Sequence, residues 1–290
     1  MNIGVVFPQT EIGPDRGAIR AFAEHVEALG FSHLLAYDHV LGADPAVHQP
    51  WSGPYDVDTT FHEPFVLFGY LAAITSIELV TGIIILPQRQ TALVAKQAAE
   101  VDLLTGGRFR LGVGLGWNAV EYEALGANFS NRGRRSDEQV ELLRRLWTER
   151  SVTYDGTYEC VTGAGLAPLP IQRPIPIWFG AASERAWRRA GRLGDGWFPQ
   201  VPPGPALDAA RAVVDRAASD AGRDPAAIGM EGRVNWTDEG AGKLVDHVGR
   251  WRAVGASHLS INTMRAGLGG ADGHLGALAA AAAALGLGPK

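Results

Sequence analysis

Asp38-His39 directly follows the short apolar run His33–Tyr37 and is the pair in this chain best suited to chemistry. An imidazole titrates near neutrality, and an adjacent carboxylate tunes it to act as acid, base or hydrogen-bond donor. The same dipeptide also reads as a helix N-cap followed by a solvated histidine. A second candidate is Gly180-Ala181-Ala182-Ser183, which opens an Arg-rich helical segment. Small residues let backbone N–H groups approach an anion, and a helix N-terminus favours negative charge, so this segment suits a phosphate. A plain helix start with Ser183 as N-cap is the structural alternative. A third is the loop Gly114-Leu115-Gly116-Trp117-Asn118. The spacing of Gly112, Gly114 and Gly116 departs from G-x-G-x-x-G and follows a fourth strand, which excludes a dinucleotide fingerprint.

Weaker candidates surround these. Arg132, Arg134 and Arg135 precede a helical segment and suit either a solvated or subunit-contact face or the anionic tail of a cofactor. Trp51, His62 and Trp117 could line an apolar pocket or simply belong to the core. The histidines other than His39 show no HExxH or comparable ligand spacing, so no metal site is expected.

The elements that must position these residues alternate regularly. Strand-like runs fall at Ile3–Phe7, His33–Tyr37, Leu79–Leu86, Phe109–Val113, Ile175–Phe179, Gly196–Phe198, Gly229–Val234 and Leu259–Asn262. Each is followed by a segment of helical period, at 19–29, 65–75, 92–104, 136–149, 184–193, 206–221, 243–254 and 275–285. A Gly/Thr/Pro-rich insertion at 151–174 reads as a hairpin and a loop. Strands alternating with helices imply right-handed parallel βαβ units, and eight such units predict a (β/α)8 TIM barrel. No linker divides the chain, so residues 1–290 are expected to form one domain. In such a barrel the site is built from the loops at the carboxyl ends of the strands. That rule brings together Pro8-Gln9, Asp38-His39, Pro87-Gln88-Arg89, Gly114–Asn118 and Gly180–Ser183.

Composition narrows the function classes. The 290 residues carry 26 Lys+Arg against 31 Asp+Glu, a formal net charge of −5. That leaves no global basic field for nucleic acid or an anionic membrane. Hydrophobic residues make up 46%, which suits a globular chain. One cysteine, Cys160, excludes an internal disulfide and a cysteine-based metal site. The start, Met1–Pro8, has no signal-peptide pattern, and no apolar run approaches ~18 residues. A soluble cytoplasmic protein is expected.

Several motifs occur together and in order: Ala36-Tyr37-Asp38-His39, Val80-Thr81-Gly82-Ile83-Ile84-Ile85-Leu86-Pro87, 98–108 (AAEVDLLTGGR), 112–117 (GVGLGW) and Leu193-Gly194-Asp195-Gly196-Trp197. In this order they resemble the luciferase-like oxidoreductase superfamily, and most closely its branch dependent on the deazaflavin coenzyme F420. The resemblance spans most of residues 1–200; beyond that only the barrel periodicity continues. It implies a luciferase-like barrel in which Asp38 contacts the cofactor and orients its ring or the imidazole, while His39 is the catalytic proton partner beside the hydride-transfer centre. It also implies a non-proline cis peptide at Gly82–Ile83 bulging against the cofactor ring. The phosphate region falls at Gly180, Ala181, Ala182 and Ser183, and Gly114 and Gly116 lie on the cofactor side of the strand-4 loop. Sugar-phosphate and alcohol dehydrogenases of the F420 group place a glutamate acid just after the strand-4 glycines. Trp117 stands near that place here, and Glu121 and Glu123 lie further on, expected to face differently, so that activity and that acid are not carried over.

The resulting expectation is an F420-dependent enzyme that passes a hydride between the deazaflavin C5 and a small organic substrate. An FMN-dependent monooxygenase using reduced flavin and oxygen is the alternative, and a flavin-binding protein without turnover the third reading. The resemblance also implies a homodimer. The insertion at 151–174 and the loop at 40–61 are expected to shape the substrate pocket.

Overall fold

Apolar runs rich in Val, Ile and Leu become the strands of a barrel because every stave of a parallel sheet is covered on both faces. The computed structural model describes residues 1–289. Its strands are β1 (Asn2–Val6), β2 (His33–Ala36), β3 (Glu78–Thr81), β4 (Ile84–Ile85), β5 (Phe109–Gly114), β6 (Val152–Asp155), β7 (Cys160–Ala164), β8 (Ile177–Ala181), β9 (Gly196–Pro199), β10 (Gly229–Asn235) and β11 (His258–Asn262). The helices are α1 (Arg16–Ala28), α2 (Pro64–Leu71), α3 (Thr91–Leu104), α4 (Ala119–Ala124), α5 (Arg132–Thr148), α6 (Glu184–Leu193), α7 (Pro205–Asp220), α8 (Gly240–Ala253) and α9 (Gly270–Leu285). The large sheet runs β3-β2-β1-β11-β10-β9-β8-β5-β4, and pairing of β3 with β5 closes it. With β3 and β4 forming one interrupted stave, this is the expected closed parallel eight-stave barrel with surrounding helices. β6 and β7 pair antiparallel as the hairpin foreseen in the insertion.

Three local expectations need correction. The run Leu79–Leu86 is not one strand: it breaks at the cis peptide Gly82–Ile83 and ends in a 3-10 turn at Leu86–Gln88. Helix α5 starts at Arg132, so the arginine cluster lies in its first turns rather than ahead of it. Gly180 and Ala181 close strand β8, leaving only Ala182 and Ser183 as the loop before α6.

The core lies between staves and helices. Phe7 meets Phe22 edge to face at 5.6 Å, and fully buried Trp147 of α5 donates its indole N–H to the Ala95 carbonyl at 3.0 Å. The amino-terminal end of the barrel is plugged by polar groups. Arg110 pairs with Glu231 at 2.7 Å and Glu78 at 3.0 Å and stacks 4.2 Å from the Trp178 ring, while the His33 Nε2 lies 3.0 Å from Glu231. Each buried charge here thus has a partner, without which it would be costly to bury. The carboxyl end is open.

Candidate active site

A cavity of about 480 Å³ occupies the carboxyl end of the barrel. Asp38 and His39, Gly82 and Ile83, Gly114 and Gly116, and all four residues of Gly180–Ser183 line it. Elements far apart in the chain thus bring these residues to one place, whereas Pro8-Gln9, Pro87-Gln88-Arg89 and Asn118, from the same loops, do not line the cavity. Of the aromatic candidates, Trp117 lines the cavity, whereas His62 meets Phe7 edge to face at 5.8 Å and Trp51 packs against Trp117 at 5.6 Å.

The second stave supplies the reactive face. Leu35 of β2 and Tyr37, Asp38 and His39 just past its end all line the cavity. The imidazole of His39 is boxed by Phe61 at 4.7 Å, Tyr55 at 5.2 Å and Trp117 at 5.6 Å between ring centroids. Its Nδ1 lies 3.2 Å from Glu121 Oε2. Glu121, wholly buried on α4, also accepts the backbone N–H groups of Val40 and, at 3.2 Å, Leu41 on Oε1. Burial pushes this carboxyl up, but the hydrogen bonds from His39, Val40 and Leu41 outweigh it and hold it below the usual carboxylate range. An ionised Glu121 fixes the proton of the neutral imidazole on Nδ1, leaving Nε2 as a free acceptor. Glu121 does not line the cavity; it sits behind His39 and orients it.

Asp38 does something else. Its carboxylate accepts from Arg89 Nη2 at 2.7 Å, Arg89 Nε at 3.3 Å and the Ile85 backbone N–H at 3.0 Å. Burial raises its carboxyl above the usual range, with the Arg89 guanidinium pulling the other way. These bonds tie the second stave to β4, just past Ile83. The expectation that Asp38 orients the imidazole is thus corrected, because Glu121 holds that position.

The floor is made by Ile83. A Cβ on Gly114 would come within 2.5 Å of its side chain and one on Gly180 within 3.2 Å, so these glycines leave the room that Ile83 fills. Gly180–Ser183, the candidate anion cradle, forms another part of the lining. Ser183 precedes the ten-residue helix α6 and makes no side-chain capping bond, which leaves its hydroxyl available. Arg132 joins it in the lining, its guanidinium 3.6 Å from the Phe129 ring centroid and its Nη1 donating to the Phe129 carbonyl at 2.7 Å. Arg132 Nε is buried without a partner among the described residues. The rest of the cluster points elsewhere: Arg134 donates to the Tyr158 hydroxyl, and Arg135 to Glu159 and the Pro87 carbonyl. Among the described residues no group of three or more His, Cys, Asp or Glu could hold a metal, and no helix is long and apolar enough to cross a membrane.

Sequence reasoning missed Glu121 as an orienting group, the tie from Arg89 to Asp38, and Arg233 and Gln200 in the wall. The pattern Asn118-x-x-Glu121 at a helix start was the one available signal for Glu121.

The family described as luciferase-like monooxygenase matches residues 1–241. An uncharacterized protein of Mycobacterium tuberculosis is 36% identical over 234 residues, covering 77% of this chain and 80% of the relative. An FMNH(2)-dependent dimethylsulfone monooxygenase of Pseudomonas putida is 30% identical over 200 residues, 68% of this chain and 51% of that enzyme. An F420-dependent secondary alcohol dehydrogenase, solved with an F420–acetone adduct, superposes with a TM-score of 0.76 at 17% identity over 97% of this chain and 98% of that one. At that identity the likeness concerns the fold.

Proposed function

The chain belongs to the luciferase-like monooxygenase family, whose members are oxidoreductases, and on that premise we propose that it is an F420-dependent enzyme transferring a hydride to or from a small organic substrate. The observation that carries the reading is the His39–Glu121 pair, which leaves a free imidazole nitrogen in the cavity that also contains the Ile83 floor and the anion cradle.

The residues present fit such a coenzyme. Ile83 with Gly82 offers an apolar bulge for a flat ring, and the backbone at Gly114 and Gly180 stays clear beside it. The Ser183 hydroxyl, the first N–H groups of α6 and the unpartnered Arg132 Nε would hold a phosphate. Asp38 borders the ring site and keeps β4 in place through Ile85 and Arg89. When bound, F420 supplies a two-electron carrier that takes or gives a hydride at C5.

The protein moves the proton. In the oxidative direction a substrate hydroxyl or amine loses its hydride from carbon, and His39 Nε2 accepts the proton from the heteroatom. In the reductive direction the imidazolium returns that proton. Ionised Glu121 stabilises the cationic imidazole, and the rings of Tyr55, Phe61 and Trp117 hold it in place. A protein that only stored a flavin would have no use for this pair.

One alternative has an observation behind it: the relative named an FMNH(2)-dependent monooxygenase favours reduced FMN with oxygen. Titrating the purified protein with F420 and with FMN, and following ring fluorescence, separates the two readings. Tighter binding of F420 by tenfold or more is expected; a wide preference for FMN would overturn the assignment.

A further inference from the structure

The part of the cavity wall built on β10 bears on the substrate, and this step rests on the function just proposed. Arg233 leaves β10 and lines the same cavity. Its Nη1 donates to the Tyr37 hydroxyl at 3.1 Å and its Nη2 to Gln200 Oε1 at 3.5 Å. β10 is separated from β2 by β11 and β1, so the side chain reaches across the mouth to Tyr37. Both partners are neutral; burial holds the Tyr37 hydroxyl above its usual range, so it stays protonated.

The guanidinium charge is therefore uncompensated. Glu231, two residues earlier on the same strand, is buried and already bound to Arg110 at 2.7 Å, His33 at 3.0 Å and Ser260. Among the described residues no carboxylate pairs with Arg233. A guanidinium has five N–H donors in a planar fork; two are used here, and the remainder suit a carboxylate.

We infer that the substrate carries a carboxylate, which Arg233, with Tyr37 and Gln200, receives at the mouth while His39 attends the reacting carbon. Tyr37 and His39 are two residues apart just past the end of β2 and both line the cavity, and extended backbone separates such Cα atoms by about 6.8 Å. A short chain thus spans from the carboxylate to the carbon that exchanges hydride. Tyr55 and Trp117 give the middle of that chain an apolar or aromatic surface. The cavity then has two anion poles, Arg132 for the coenzyme and Arg233 for the substrate.

The test uses 3-phenylpropanoate and its primary amide as matched probes, titrated calorimetrically with and without F420. The wild-type protein is expected to prefer the carboxylate by roughly tenfold or more, the usual effect of charge-assisted hydrogen bonds. Arg233→Gln should bring the preference to within about twofold, Arg233→Lys should keep part of it, and F420 affinity should stay within about twofold in both. Absence of a preference in the wild type, or its survival in Arg233→Gln, overturns the proposal. So does a loss of F420 affinity in Arg233→Gln, because the arginine would then serve the coenzyme's own anionic tail. If the wild type fails to bind F420 the coenzyme assignment falls alone, and the carboxylate ratio measured without coenzyme still decides the matter.

Discussion

Replacing Glu121 by Gln tests how His39 is held, because the change keeps the shape of the side chain and removes only its charge. Two backbone donors, from Val40 and Leu41, converge on Oε1, and one imidazole nitrogen meets Oε2. Backbone N–H groups cannot change tautomer, whereas an imidazole can. In Glu121→Gln the amide carbonyl will therefore turn to Val40 and Leu41, and the amide NH2 will face His39 Nδ1. That nitrogen must then accept, which moves the ring proton to Nε2, the atom that needs to be free. A positioned general base is worth ~10²–10⁴ in rate, so a loss of roughly 10²–10³ in kcat is expected, equivalent to about 3–4 kcal/mol. Coenzyme affinity should change by less than about threefold, because Glu121 does not line the cavity. The assay pairs single-turnover hydride transfer with ¹⁵N chemical shifts of the His39 ring, which report the tautomer without any substrate. An unchanged tautomer would refute the account of orientation. A switched tautomer with wild-type turnover would remove His39 from proton transfer.

His39→Ala should lower turnover by about a hundredfold or more while leaving the coenzyme Kd within a few-fold, measured by ring-fluorescence titration beside single-turnover rates. Arg132→Gln should weaken coenzyme binding by roughly tenfold and flatten its salt dependence, in titrations at two ionic strengths. Gly112→Ala drives a Cβ into the Thr81 carbonyl oxygen, a backbone atom that cannot yield without moving the broken third stave; a loss of ~2–3 kcal/mol by denaturant melts is expected. Acid should destabilise the barrel through its plugged end. Burial, aided by Arg110 and His33, pushes His258 down to about 3. Burial of Glu231 is outweighed by Arg110 and His33, which hold its carboxyl well below the usual range. In the folded state both bind protons less readily than when unfolded, so their contribution is present at neutral pH. That of His258 falls away as pH drops from about 6.5 toward 3, and that of Glu231 below about 4.5. Thermal melts should therefore shift down between pH 7 and 4, and His258→Gln should flatten the upper part of that fall.

The alternation of apolar runs and helical periods was enough to read the barrel, because each stave buries side chains on both faces and each helix only one stripe. What periodicity cannot see is a break inside an apolar run. Thr81-Gly82-Ile83-Ile84 continues the hydrophobic pattern while the backbone leaves the sheet and rejoins it, and only the resemblance pointed to that position. The functional half of Asp38-His39 was legible from its place at the end of a strand; the division of labour between the two residues was not. That division depends on Arg89 and Glu121, which come from other loops some 50 and 80 residues further along the chain. The arginine cluster shows the same limit. Helix α5 begins four residues before the segment 136–149 read from its period, and its phase decides that Arg132 enters the cavity while Arg134 and Arg135 do not.

The net charge of −5 argued against polyanions as partners, yet the cavity itself favours anions, and the two statements are compatible. Acidic groups near the barrel interior are each matched: Glu231 by Arg110 and His33, Asp38 by Arg89, Glu121 by His39 and two backbone N–H groups. Arg132 and Arg233, by contrast, meet only neutral partners at the mouth. Beyond a Debye length of about 8 Å the excess negative charge elsewhere on the protein is screened, so a ligand entering the mouth is governed by the local pair of cations. Rejection of a cationic substrate follows from that field, and so does slower binding of an anionic one as salt rises. If carboxylate affinity and its salt dependence were unaltered when both arginines are replaced by Gln, the selectivity of the mouth would have to reside in its backbone donors instead.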